Sequence, residues 1–204
     1  MTHVKITTGK RSWRELITAL KAEVTQWTEG RLWWWRGLIL AWLVYIAVRH
    51  LSDPLYTSLF GGLDLGIHEG GHLLFSWAPK FIMVLAGSFT QCAAPLIAAW
   101  LFLRQPDYFA VPVCGAWFAD NLYSVAAYVS DARAMELPLV SVGGGQTEHD
   151  WNYILGSLGL LRWDTFFGGA IRLLALVIMA LSLAAGAWIL WTMARSSKQP
   201  ASSP

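Results

Sequence analysis

The chain has 204 residues, of which 55% are hydrophobic and 14% charged. That is too apolar for a soluble domain and typical of a polytopic membrane protein, at a length that allows one domain or one modest helical bundle. The net charge of +2 is too small to point to nucleic acid, and the basic residues are spread through the ends and turns.

Thirteen tryptophans fit the same class, because Trp concentrates at membrane interfaces. The first thirty residues are polar and lack an apolar run, so no cleavable signal peptide is expected. Cys92 and Cys114 both fall in apolar segments and form no CxxC pair, which predicts two buried free thiols.

Residues 1–10 are polar and expected to fray. Ser12-Trp13-Arg14-Glu15 fits a capping box, and Trp13, Leu16, Ile17, Leu20, Val24 and Trp27 follow helical spacing. An amphipathic helix ending near Gly30 follows, lying on a membrane surface or packed on the bundle. Residues 1–31 are thus a cytoplasmic segment, 32–194 a transmembrane bundle and 195–204 a disordered tail.

Trp33-Trp34-Trp35-Arg36 is an aromatic belt at a membrane entry, opening a first span over 32–48 that Arg49-His50 closes. His50 is expected at the interface. Ser52-Asp53-Pro54 reads as a helix start, with a second span over 54–78. Further spans are expected over 81–103, interrupted at 87–91 and Pro95, then over 108–130 with Asp120-Asn121 in mid-membrane, and over 168–193. Residues 134–150 read as a loop and 151–163 as a short helix. The fold class is therefore all-α, a bundle of five or six transmembrane helices.

The second span carries Gly66-Ile67-His68-Glu69-Gly70-Gly71-His72, which contains HExxH. Residues i and i+4 share a helix face, so His68 and His72 can offer nitrogens to one metal ion. Glu69, about 100° round the helix, can reach a water on that ion without being a ligand. Ionisable residues are costly in an apolar span and mark function there. Asp64, one turn earlier on the same face, could orient His68 or line a water path. Gly62, Gly66 and Gly70 recur every fourth residue and predict close approach of a neighbouring helix. The second and fourth spans are expected side by side.

Catalytic zinc takes three protein ligands. The candidates for the third are Asp131, His149, Asp150 and, deeper, Asp120. An apolar helix with His-Glu-x-Gly-His resembles the site-2 protease family of intramembrane zinc metallopeptidases. That family takes its third ligand from an aspartate on a later span, after an asparagine. Asn121 through Asp131 matches the order, at slightly long spacing, without the family's prolines and with Ala132 in place of its glycine. The resemblance spans about half the chain and implies Zn²⁺ on His68, His72 and Asp131, with Glu69 as general base. The substrate would be a membrane-anchored peptide or protein. The rival reading is a non-peptidase membrane protein that binds metal for structure, sensing or transport.

Lys10, Arg11, Arg14, Lys21, Arg31 and Arg36 precede or open the first span and predict a cytoplasmic N-terminus. Counting spans, the 131–150 loop then falls on the same side. Five spans would leave the C-terminus outside, whereas Arg195 and Lys198 favour inside, a conflict that one re-entrant segment would remove.

Overall fold

The computed structural model describes residues 12–138 and 148–196, and every regular element among them is helical. The helices are α1 (Trp13–Thr28), α2 (Trp34–Ser52), α3 (Gly61–Leu74), α4 (Lys80–Arg104), α5 (Ala110–Ser130), α6 (Asp150–Ser157) and α7 (Asp164–Ser196), with a 3₁₀ turn at Leu161–Trp163. The tail from residue 197 lies outside the described residues, as does most of the expected 134–150 loop.

α1 starts on the capping box its sequence announces, with Ser12 and Glu15 each accepting the other's backbone N–H. Its two halves differ. Trp13, Leu16, Ile17 and Leu20 are exposed, whereas Val24 and Thr28 are buried. Trp27 donates to the Pro106 carbonyl at 2.7 Å, and the Tyr108 hydroxyl donates to Glu23. The helix is therefore docked at its C-terminal half and open at its N-terminal half.

α2 and α5 run parallel: Arg36 pairs with Asp107 near their starts and His50 with Asp120 further along. α7 runs antiparallel to both. Gly37 of α2 faces Leu190, Gly186 faces Leu40, and Arg172 donates to the His50 carbonyl. At Gly168 a Cβ would lie 2.7 Å from the Ala126 carbonyl oxygen, so glycine there sets the closeness of α5 and α7. Leu43, Ile46, Ala119, Tyr123, Ala175 and Met179 form the core among these three helices.

α4 and the stretch Leu161–Ser196 are each long and apolar enough to cross a membrane. Pro95 and residues 87–91 do not interrupt α4, which is one continuous helix. Both long helices turn large apolar side chains outward, among them Ile82, Phe89 and Ile97 on α4 and Leu173, Val177 and Leu181 on α7.

α3 departs most from expectation. The predicted span over 54–78 yields a helix of only 14 residues. After α2 ends, residues 53–60 double back along it: Tyr56 packs edge-on against Tyr45 and His50, and Phe60 reaches Trp42 and stacks on Trp117. α3 thus begins level with the middle of α5 and climbs back antiparallel to α4. Its close packing is on α4, where a Cβ at Gly71 would sit 2.5 Å from the Ala86 carbonyl oxygen. Gly62, Gly66 and Gly70 have nothing within 4 Å of a built Cβ, so the expected glycine row faces open space and the small residue that admits a neighbour is Gly71. Nor does α3 lie side by side with α5; a cavity separates them.

The doubling-back has a topological consequence. α4, α5 and α7 run between the two ends of the bundle, whereas α2 stops level with the middle of α5, where His50 meets Asp120, and α3 completes its course to the far end. The start of α2, the α4–α5 turn and the end of α7 share one end, as the buried cluster of Val24, Tyr108, Phe109, Ile189 and Met193 shows. The α3–α4 turn, the end of α5, α6 and the start of α7 share the other. The described parts of 131–150 therefore lie at the end opposite to α1, not beside it as the span count predicted.

Residues 53–60 carry irregular backbone on the flank of the bundle, where Leu55 and Leu59 are exposed and Ser58 is buried, and the buried polar groups there need partners. His50, expected at an interface, is 1% exposed and bonds Asp120 at 2.6 Å while stacking on Tyr123. The other Asp120 oxygen accepts from Ser58 at 2.7 Å, and Ser58 Oγ accepts the Phe60 N–H. Asp120 is thus a clasp for the doubled-back segment, not a cavity lining. Removing one partner of a buried pair strands the others, so Asp120→Ala should destabilise the fold by roughly 3 kcal/mol or more. Thermal unfolding in detergent should show that loss, against near-neutrality for Phe89→Ala on the outward face of α4.

Candidate metal centre

His68 and His72 lie one turn apart on α3, and their rings meet edge to face with centroids 4.8 Å apart. Each ring is fixed by its Nδ1. His68 Nδ1 meets Gln91 Oε1 at 3.1 Å, and His72 Nδ1 meets the Met83 carbonyl at 2.9 Å. Both partners are acceptors, so each Nδ1 carries the proton and each Nε2 presents a lone pair.

The two Nε2 atoms converge on one carboxylate oxygen, Asp150 Oδ2, at 2.9 and 3.2 Å. Two lone pairs and an anionic oxygen crowded together require a positive charge between them, either a proton or a metal ion. The three ligand atoms lie within 4.8 Å of one another. A tetrahedral zinc site sets such atoms roughly 3.3 Å apart, so the donor set and its spacing fit a divalent cation. Without one, an imidazole proton fills the place. Burial then pushes the Asp150 carboxyl up, but the hydrogen bonds to His68 and His72 outweigh it and hold the group below the usual carboxylate range.

The third member is Asp150, one of the sequence candidates, and not Asp131. α5 stops at Ser130, and Asp131 caps it. The Asp131 carboxylate accepts the backbone N–H groups of Glu136 and Leu137, each at 3.0 Å, and meets His149 Nε2 at 3.3 Å. With its oxygens so engaged, Asp131 organises the turn after α5 and anchors His149. His149 in turn caps α6, its Nδ1 accepting the Asn152 N–H. That cap presents Asp150 to the histidines. The Tyr128 hydroxyl accepts the Asp150 N–H at 3.0 Å, Asn152 donates to the Ala132 carbonyl, and Trp151 donates to Ser88.

Two further residues belong to the site. Gln91, and not Asp64, is the partner of His68; of the two roles open to Asp64, the structure has it lining the cavity, where it accepts from Trp117 Nε1 at 2.7 Å. Gly87 sits directly against the pair, since a Cβ there would lie 2.6 Å from both Nε2 atoms. Gly87 and Gln91 thus face the site from one side of a continuous helix, while Phe89 between them points outward. Glu69 lines the same cavity of about 680 Å³ with His68, His72 and Asp150. α3 contributes Asp64 and Leu65 to its wall and α5 contributes Ser124 and Tyr128. At the rim, Lys80 pairs with Glu148 at 2.6 Å.

Metal content after dialysis tests the assignment. Asp150→Ala and Gly87→Ala should each remove bound metal, the first by deleting a ligand and the second by driving a methyl group into the imidazoles. Asp131→Asn should retain it. Metal lost from Asp131→Asn and kept in Asp150→Ala would reverse the assignment.

Comparison of the chain with protein-family models, with curated proteins and with solved structures finds no match.

Proposed function

We propose that the chain is a membrane-embedded, metal-dependent peptidase acting on a membrane-associated polypeptide. The observation that carries this reading is the convergence of His68, His72 and Asp150 in the cavity that Glu69 also lines. A purely structural metal site is closed by its ligands. Here two histidines, one carboxylate, an adjoining unligated glutamate and room for a peptide occur together, which is what metal-assisted hydrolysis uses. His nitrogens with one carboxylate suit zinc. The resemblance of His68-Glu69-Gly70-Gly71-His72 to the site-2 protease motif supports the same chemistry.

Embedding is supported by the outward faces of α4 and α7, each of which carries a series of large exposed apolar side chains. α5, with 21 residues, runs between the two ends, and α2, with 19, reaches the level of mid-α5, from where α3 continues. Three crossing helices and the α2–α3 pair account for the bundle. The metal site is near one edge: His72 meets Met83, and Gly87 abuts both imidazoles, whereas α4 starts at Lys80. At 1.5 Å per residue that is roughly 5–10 Å below the helix start.

When bound, the cation would acidify a water and polarise the scissile carbonyl. The chain's own groups do the rest. Glu69 takes a proton from the attacking water and returns it to the leaving amine. Gln91 and the Met83 carbonyl keep both imidazoles in the tautomer that frees Nε2. Tyr128, its oxygen already accepting the Asp150 N–H, retains a proton to donate to a group in the cavity.

Glu69→Gln should keep the metal and lose about 10²–10⁴-fold in cleavage of membrane-anchored model peptides, the range set by loss of a general base. Unchanged cleavage would remove Glu69 from the chemistry. No cleavage by the metal-loaded wild type across a mixed library of such peptides would favour a structural, sensing or transport site.

A further inference from the structure

The doubling-back of residues 53–60 decides which side of the membrane the site serves. With α2 stopping level with mid-α5 and α3 continuing from there, the α2–α3 pair makes the first crossing and α4, α5 and α7 the other three. α1 and the end of α7 then lie at one end of the bundle and the metal centre at the other. Basic residues divide unequally between these ends. Lys5, Lys10, Arg11, Arg14, Lys21, Arg31, Arg36, Arg104, Arg195 and Lys198 lie in α1, at the α1-side ends of the crossing helices, or in the sequence that precedes and follows them. Arg49, Lys80, Arg133, Arg162 and Arg172 make up the other five. Three of those five are paired with acids, Arg49 with Asp53, Lys80 with Glu148 and Arg133 with Asp164.

Lysine and arginine near span ends hold their loops in the cytoplasm. The topology and this asymmetry act together: the terminal end is cytoplasmic, and the end that carries α6, Asp150 and the rim pair Lys80–Glu148 is not. We infer that the metal centre opens to the extracytoplasmic face, and that its substrate is a polypeptide segment presented there, at the outer edge of the membrane. This rests on the peptidase reading for the word substrate, and on the fold together with the distribution of basic residues for the sidedness. It also removes the conflict in the sequence, since four crossings, the first made jointly by α2 and α3, bring the end of α7 to the side of α1.

The site's own features agree with such a substrate. A chain entering from the outer edge meets the Lys80–Glu148 rim first and then the wall formed by Leu137 and Pro138. It need descend only about two helical turns to reach His68 and His72. The cavity between α3 and α5 is the space that side-by-side packing of those helices would have filled.

Single cysteines placed in a background with Cys92 and Cys114 replaced by alanine test the sidedness. Ala134 lies exposed in the turn after α5, and Arg104 is exposed at the α4–α5 turn. In intact cells, Ala134→Cys should react with a membrane-impermeant maleimide, and Arg104→Cys should react only after permeabilisation. The reverse pattern, or both positions labelled from one side, would overturn the inference. The substrate claim has its own arm. In intact cells an impermeant chelator added outside should abolish cleavage of a membrane-anchored reporter whose exposed segment is extracytoplasmic, and a reporter with a cytoplasmic segment should stay uncut. Cleavage of the cytoplasmic reporter would overturn the substrate assignment. Cleavage of neither, with the labelling as expected, would refute the peptidase reading and leave the sidedness standing.

Discussion

The fold depends on tying one stretch of irregular backbone to the bundle. Residues 53–60 leave α2 level with the middle of α5 and turn back along it, with Leu55 and Leu59 exposed and the Ser58 hydroxyl buried. Asp120 holds this stretch by bonding His50 at the end of α2 and Ser58 in the returning segment, while Arg172 of α7 takes the His50 carbonyl. Three helices are tied to one turn by groups that would each be costly alone. Because the turn is fixed, the start of α3 is fixed, and with it the depth of His68 and His72.

The candidate metal centre is assembled by a second set of indirect contacts. Nothing in α3 by itself would select a metal. The arrangement comes from α4, where Gln91 and the Met83 carbonyl hold the imidazole tautomers and Gly87 leaves room for the nitrogens, and from α6, where Asp150 completes the group. Asp150 reaches its place through a relay. Asp131 closes its own turn and holds His149, His149 caps α6, and the capped helix aims its first carboxylate at the histidines. Asp131 therefore matters to the site without touching it.

Much of this was legible in the residues. The capping box of α1, the helical class, the thiols and the paired histidines with their glutamate follow from local spacing, which local structure obeys. The rest depended on contacts that spacing does not encode. A glycine row at 62, 66 and 70 and single glycines at 71 and 87 look alike in sequence; which of them meets a neighbour depends on the rotation of α3 against α4. The choice between Asp131 and Asp150 depended on where α5 stops. The N–H groups of Glu136 and Leu137 claim the Asp131 carboxylate and decide it. His50 and Asp120 lie far apart in the chain, and only the parallel pairing of α2 and α5 reveals them as partners. The one available signal was the mismatch between a basic C-terminal tail and an odd number of spans, which pointed to one crossing fewer.

The central claim is that one metal ion sits between α3, α4 and α6 on two imidazoles and a carboxylate. X-ray absorption at the zinc edge of the metal-loaded protein in detergent tests it most directly. The account expects outer-shell scattering from two imidazole rings and a first shell of nitrogen and oxygen alone. A sulfur contribution from Cys92 or Cys114, or fewer than two imidazoles, would contradict it.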